Sequence, residues 1–378
     1  MKKIGIITYH YKNNFGAVLQ SYALQTYLST IGFDAEIIDC RPPSMDFRYF
    51  LSITKLALKE FFINKNKESF LLRLKKQIHR VAYSNAQRKK FEEFRVKYLK
   101  LSPFYNYFSQ DINFNNYSIV ITGSDQVWNS IDGPASVYFL NRQFNATKVS
   151  YAACRGIISS NDNEGNEIRK MLSSFDLLSV RDVPTQYFVQ STINVKPKIV
   201  CDPTMLISFE NLIGDTPIIK SKYILVYILG NEIEGGHVKT LESIKSVVGE
   251  IDIVVCVLSE KNPQFFPWAN KHLFTCSPTD WINLIKFAEY IYTDSYHGII
   301  FSTKFKKQFL AYYTEVIRAS RLLDLSKRFN LSKNIVSSYL DALNNNSFSN
   351  KIDYNEFERL NNQAIRESKI FIDNIKVL

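Results

Sequence analysis

The chain has 378 residues, of which 46% are hydrophobic and 14% aromatic, and a formal charge of +11. That length exceeds one typical core and fits two domains. No run of about 18 uncharged apolar residues occurs, so no transmembrane helix is indicated.

Taken in chain order, residues 3–9 read as a strand, 13–16 as a turn and 17–30 as a helix with apolar positions Val18, Leu19, Tyr22, Ala23 and Leu28. Gly32 stops that helix, and 35–40 reads as a second strand. This is a βαβ opening, but it lacks G-x-G-x-x-G, so no dinucleotide site follows from it. Residues 47–101 read as a basic helical insertion in which Phe91, Phe94 and Tyr98 form one apolar stripe. Strand signals resume at 117–122, 149–153, 177–180 and 198–201, until Asp202-Pro203-Thr204 breaks the chain. A second series follows at 223–229, 252–258, 273–275, 290–293 and 308–312, with helical patterns at 237–248, 279–289 and 298–304. From Asp353 onward the pattern is one long helix.

Alternating strands and helices in both halves predict an α/β chain of two Rossmann-like, doubly wound parallel domains. The expected division is 1–205, carrying the insertion 44–110, then 206–350, with 351–378 a helix crossing back to the first domain.

The charge is concentrated. Residues 44–110 hold 15 Lys and Arg against 5 acidic residues, and the remainder is nearly neutral. A basic excess confined to one segment argues for a local partner surface, such as an anionic membrane face, and against general nucleic-acid binding. Five scattered cysteines with no C-x-x-C pair argue for buried free thiols, and no His or Asp cluster has metal-ligand spacing. The N-terminal residues lack a signal-peptide pattern, so a cytoplasmic location is expected, with possible peripheral contact at the inner membrane face.

The most informative stretch is 291–300. An apolar, β-branched run ends in Asp294, Ser295 and His297, and Gly298 opens an apolar helix. Ligands of open α/β sheets bind beyond the carboxyl ends of strands, often against the next helix N-terminus. The alternative is that Asp294 or Ser295 only caps the helix.

Several segments together resemble the polysaccharide pyruvyl transferase family. They are 8–25 (TYHYKNNFGAVLQSYALQ), 123–129 (GSDQVWN), 150–153, 179–182 (SVRD), 201–204 (CDPT) and 293–298 (TDSYHG). The order is the family's, and the likeness covers the chain except the basic insertion. It implies a GT-B-like fold with the site between the domains. It also implies transfer of a pyruvyl group from phosphoenolpyruvate to a sugar of a bacterial surface-polysaccharide precursor, lipid-linked or nucleotide-linked, forming a cyclic ketal; with no metal-ligand spacing in the sequence, no metal or other cofactor is expected.

Such chemistry needs proton transfer and anchoring of two anionic groups. His297 is the candidate for proton transfer or phosphate contact, because imidazoles titrate near neutral pH. Arg181, after a strand, is the candidate anion clamp, its removal expected to raise KM. Asp125, in a Gly-Ser-Asp turn with Ser124, either orients a hydroxyl as a base or caps a short helix. Trp128 either stacks on a sugar or packs in the core. His10, Asn14 and Gly16 form the first βα loop, where Gly16 would allow close approach of a ligand and His10 either contacts it or steadies the turn. Family members often carry Arg two residues before the motif His, where this chain has Ser295. Arg155 follows a strand where an apolar residue is commoner, and it stands as a candidate replacement for that charge. A GT-B glycosyltransferase using a nucleotide sugar and an inactive glycan-assembly scaffold are the competing readings.

Overall fold

Two six-stranded sheets, each wholly parallel, form the frame of the molecule. The computed structural model describes residues 2–41, 67–106, 112–129, 133–155, 162–259, 265–314 and 316–377. For 67–82, 133–135, 162–164 and 316–318 it describes the backbone only.

The first sheet is built from β1 (Lys3–Ile7) and β2 (Asp34–Ile37), while β3 (Cys40–Arg41) and β4 (Tyr105–Asn106) pair apart as a small ribbon. Its remaining strands are β5 (Ile119–Thr122), β6 (Thr147–Ala153), β7 (Leu177–Val180) and β8 (Lys198–Ile199), in the order β2-β1-β5-β6-β7-β8. The second sheet holds β9 (Tyr223–Tyr227), β10 (Asp252–Cys256), β11 (Lys271–Leu273), β12 (Tyr290–Thr293), β13 (Gln308–Tyr312) and β14 (Ile335–Val336). Their order is β11-β10-β9-β12-β13-β14, the doubly wound 3-2-1-4-5-6 arrangement. Segments such as Ile119–Thr122 and Tyr223–Tyr227 are apolar at successive positions because helices cover both faces of a parallel sheet. The fold is therefore α/β with two parallel-sheet domains of GT-B-like architecture. The strand order reverses between β1 and β5 in one sheet and between β9 and β12 in the other. These are the two crevices where such sheets bind ligands.

Boundaries differ where backbone chemistry intervenes. β8 stops at Ile199, just before Asp202-Pro203, and β11 is shifted two residues toward the N-terminus relative to the expected strand. Helices Asp162–Leu172, Val183–Ile193 and Val316–Arg328 add elements that the apolar pattern alone did not signal.

Of the expected insertion, 42–66 lies outside the described residues, and 67–98 is one helix, Lys67–Tyr98. Its apolar stripe packs on the first helix, Phe15–Thr30, with Phe91 stacked on Phe15 at 5.1 Å and Phe94 edge-on to Tyr22 at 6.0 Å. The same helix reaches the second domain. Gln87 donates to the Val257 carbonyl (3.0 Å) and accepts from the Ser259 N–H (2.7 Å), and Lys90 pairs with Asp280 at 3.2 Å. Arg95 holds the first βα loop through Asn13 Oδ1 (3.0 Å) and the Tyr11 carbonyl (3.3 Å). Side chains of the basic residues from Arg48 to Arg80 lie outside the description.

The two halves share one apolar core, which runs through Phe15, Tyr227, Trp281 and Phe301. Helix Tyr354–Val377 lies against the first domain, where Ser368 Oγ accepts the Cys201 N–H at 2.8 Å and Phe371 meets Tyr151 at 6.2 Å. All five cysteines are buried and unbridged. Among the described residues, no helix is long and apolar enough to cross a membrane.

Candidate active site between the domains

Four strand ends converge on one buried carboxylate. β8 runs into Asp202, whose side chain is fully buried and whose Oδ1 accepts both the N–H (3.0 Å) and the hydroxyl (2.7 Å) of Thr204. Its Oδ2 takes Arg181 Nη1, from the end of β7, at 2.9 Å. Ser124 Oγ, from the end of β5, lies 3.3 Å from the same oxygen. His297 Nε2 stands 3.4 Å from it, a long ionic contact across the domain boundary.

His297 is placed by the turn that follows β12. Ser295 caps helix Tyr296–Lys304 by accepting the Gly298 N–H (3.2 Å), and its own N–H is held by Thr293 Oγ1 (3.1 Å). Gly298 has to be small, since a Cβ there would meet Thr293 Oγ1 at 2.6 Å. The imidazole then lies over Gly16 at the start of the first helix.

Arg181 is the best-buried cation of the group, 1% exposed. Its guanidinium lies over the Tyr296 ring at 4.4 Å from the centroid, and Nη2 is 3.6 Å from Asp125 Oδ1. Nε and Nη2 are buried with no hydrogen-bond partner, as is Nε2 of His297. Asp125 sits at φ 77°, in the left-handed region that non-glycine residues seldom adopt. Beside it β6 is irregular: Ala152 also has positive φ, and the β6–β7 register shifts between Ser150 and Ala153. A bulge at a strand end re-aims the chain there, a device common beside active sites.

The electrostatics follow from this crowding. Burial would raise the Asp202 carboxyl, but His297, Arg181 and Thr204 outweigh it and hold the group well below the usual carboxylate range. Burial also works against ionised Asp125, yet Arg181, His297, Lys12 and Arg321 together keep its carboxyl low. Burial, reinforced by Asp182, pushes the Cys154 thiol up to about 12, so it is not a nucleophile.

Other residues named from the sequence have structural duties. Trp128 does not present a face to a sugar. It is 1% exposed, stacked on Phe139 at 5.6 Å, and donates Nε1–H to the Tyr138 carbonyl (3.2 Å). His10 is equally buried, with one ring nitrogen 3.1 Å from the Thr8 carbonyl and the other 3.0 Å from Asp39 Oδ1, so it steadies the turn. Asn14 caps the first helix through Ala17 N–H (3.2 Å). The close approach that Gly16 permits is made by His297. Asp294 accepts the Leu229 and Gly230 N–H groups (2.7 and 2.6 Å), tying β12 to the loop after β9. The Arg155 guanidinium covers the Phe188 ring at 3.7 Å. Asp182 caps helix Val183–Ile193 through Thr185 and accepts the Cys154 thiol at 2.8 Å.

Two members of the group carried no role in the sequence reading. Asp202 had a signal, a lone acid between an apolar strand and a proline. Arg321, on helix Val316–Arg328, had none. Among the described residues no His, Cys, Asp or Glu group is arranged to hold a metal ion.

Comparison with solved structures returns the same architecture. A putative UDP-N-acetylglucosamine 2-epimerase from Listeria monocytogenes matches 99% of this chain and 95% of its own, with 10% identity and a TM-score of 0.52. S. aureus MnaA, solved with UDP, matches 100% of this chain and 96% of its own, with 13% identity and a TM-score of 0.51. At such identities the likeness concerns the fold alone. No curated protein matches the chain in sequence. A match to the polysaccharide pyruvyl transferase family spans residues 14–315, from the cap of the first helix to beyond β13, and the chain belongs to that family.

Proposed function

We propose that the chain transfers the pyruvyl group of phosphoenolpyruvate to two hydroxyls of a sugar in a surface-polysaccharide precursor, closing a cyclic ketal. The observation that carries this reading is the meeting of Arg181, Asp202 and His297 across the domain boundary, where Arg181 Nε and Nη2 and His297 Nε2 are buried with ionic contacts at 3.4–3.6 Å at most and no hydrogen bond. Buried donors of this kind are costly unless a ligand fills them.

A proton from His297 adds to the methylene carbon of phosphoenolpyruvate, and oxocarbenium character develops at C2. One sugar hydroxyl adds to C2 and gives up its proton, and the C2–O bond to phosphate breaks. The second hydroxyl closes the ring, and of the two hydroxyl protons one restores His297 and the other leaves on phosphate, so the products are the ketal and inorganic phosphate. Asp125 is suited to the hydroxyl proton. Held ionised by its cationic neighbours, it is a weak base, but a hydroxyl bound to an oxocarbenium carbon becomes strongly acidic and needs only a weak base. Arg181, anchored on Asp202, faces the anion, and its planar fork suits carboxylate or phosphate. The acceptor is a lipid-linked or nucleotide-linked sugar, and the basic insertion would keep a lipid-linked one within reach at an anionic membrane face.

Calorimetric titration with phosphoenolpyruvate, nucleotide sugars and inorganic phosphate is the first test, followed by phosphorus NMR of phosphate release in the presence of candidate sugars. Binding of phosphoenolpyruvate is expected. Binding of a nucleotide sugar alone would overturn the proposal in favour of glycosyl transfer.

A further inference from the structure

Helix Val316–Arg328 belongs to the second half of the chain, between β13 and β14, yet it docks on the first half. Asp324 Oδ1 accepts the Val183 N–H at 3.1 Å, and Arg328 Nη1 donates to the carbonyl of Arg181 at 2.8 Å. Residues three to four apart share a helical face, so positions 321, 324 and 328 point the same way. Arg321 is thereby directed at the end of β7 from the opposite domain. Its Nε is fully buried and has no hydrogen-bond partner.

The neighbouring carboxylates do not fill that vacancy. Asp182 is used by Thr185 and the Cys154 thiol, and Asp202 by Thr204 and Arg181. Asp125 accepts the Gln126 N–H at 2.8 Å and faces Arg181. Burial disfavours the charge on Arg321, the Cys154, Asp125 and Asp182 groups favour it, and Arg181 opposes it as a like charge within electrostatic reach. Two guanidinium groups brought to the end of β7 by hydrogen bonds across the domain boundary, each with a buried donor that lacks a hydrogen-bond partner, fit a compact ligand with more than one negative charge.

We infer that Arg321 and Arg181 form a two-armed clamp, one arm from each domain, that contacts the anionic groups of the donor. The inference rests on the donor proposed above and deepens it. It adds Arg321 to the residues that touch substrate, and it makes closure of the two domains part of donor binding.

The test is calorimetric titration of the full-length wild type and of Arg321→Gln with phosphoenolpyruvate and with inorganic phosphate, with thermal melting as the check on folding. The wild type should bind phosphoenolpyruvate, and the variant should bind it about 10- to 100-fold more weakly, the range for a lost hydrogen bond to a charged group. A parallel loss for inorganic phosphate places Arg321 on the phosphate, and a loss for phosphoenolpyruvate alone places it on the carboxylate. Either result supports the clamp. Equal affinities for wild type and a folded variant overturn it while leaving the donor in place. Binding of inorganic phosphate that depends on Arg321, without binding of phosphoenolpyruvate, keeps the clamp and overturns the donor. A wild type that binds neither overturns both. Should Arg321→Gln not fold, hydrogen exchange on the wild type decides. Phosphoenolpyruvate should slow exchange in residues 319–328, and unchanged exchange there overturns the clamp.

Discussion

Gly16 and His297, from opposite halves of the chain, touch so closely that a Cβ built on Gly16 would lie 2.1 Å from His297 Nδ1. No side chain is tolerated at that point while the imidazole keeps its place over Asp202. Gly16→Ala should therefore displace His297 or part the domains, costing about 1–3 kcal/mol, the range for overpacking a tight contact, and most of the activity. The double variant Gly16→Ala/His297→Ala should regain the stability but not the activity, because the clash then has no partner. Chemical denaturation and turnover assays measure the two effects separately. If His297→Ala does not relieve the destabilisation, the contact is not what makes glycine necessary there.

His297→Ala alone should lower turnover by at least about 100-fold, the lower range for a lost general acid. Steady-state kinetics with phosphoenolpyruvate measure this. Wild-type turnover would remove His297 from the proton-transfer role.

Arg181 is not only an anion clamp, because it neutralises Asp202 in the interior. Arg181→Ala should leave that buried carboxylate with only the long His297 contact as counter-charge, at about 3–5 kcal/mol. Loss of folding, rather than a raised KM alone, is thus the expected outcome. Arg181→Ala/Asp202→Asn should lose less than the two single variants added together. The pH dependence follows from the same pair. The folded-state value of Asp202 lies below its unfolded value, so its contribution is complete above the ordinary carboxylate value of about 4 and fades as pH falls below it. Denaturation midpoints between pH 3 and 7 should fall more steeply at the acid end for wild type than for Asp202→Asn.

Lys304 gives a slope of the same sign in a separate, alkaline window. Burial lowers its amine to about 8, while its Nζ donates to the Ile207 carbonyl at 2.7 Å. The unfolded chain binds the extra proton between that value and the usual lysine value of about 10.4, so stability should rise with pH across this window. Lys304→Met removes that rise. Thermal melting of both proteins from pH 7 to 10 measures the difference, and parallel curves would show that Lys304 stays charged in the fold.

The described basic residues of the insertion are partly occupied within the protein: Lys90 with Asp280, Arg95 with the first βα loop, Lys100 with Asp34. Any pull toward an anionic membrane must come mainly from the charges earlier in the segment, at about 1 kcal/mol each near the surface. Sedimentation with phosphatidylserine vesicles should show binding that weakens as salt is added. No binding at low salt would leave a soluble acceptor.

Features that depend on neighbours in sequence were legible. The strands announce themselves as β-branched apolar runs, and His297 stands out because strand, cap and helix start occupy consecutive residues. Helix Val183–Ile193 was equally legible in principle, since Asp182 and Pro184 are start signals, but its short apolar pattern is weak. What escaped depends on distant contacts. Trp128 reads the same in a core as over a sugar until Phe139 and Tyr138 are known to enclose it. Arg321 looks like one more surface charge until its helix is seen to dock on Val183. Asp202 gathers partners from β5, β7 and the turn after β12, and no local pattern encodes that meeting.

The chain leaves the first domain after β8 and comes back in helix Tyr354–Val377, where Ser368 grips the backbone at Cys201. A molecule joined by one thread can swivel about any line through it. One joined by two can turn freely only about the line that links them, because every other rotation stretches one thread or slackens the other. The two lobes are thus hung like a door on two pins. An opening of the cleft is thereby confined to one line of rotation, and closing along it returns His297 to Gly16.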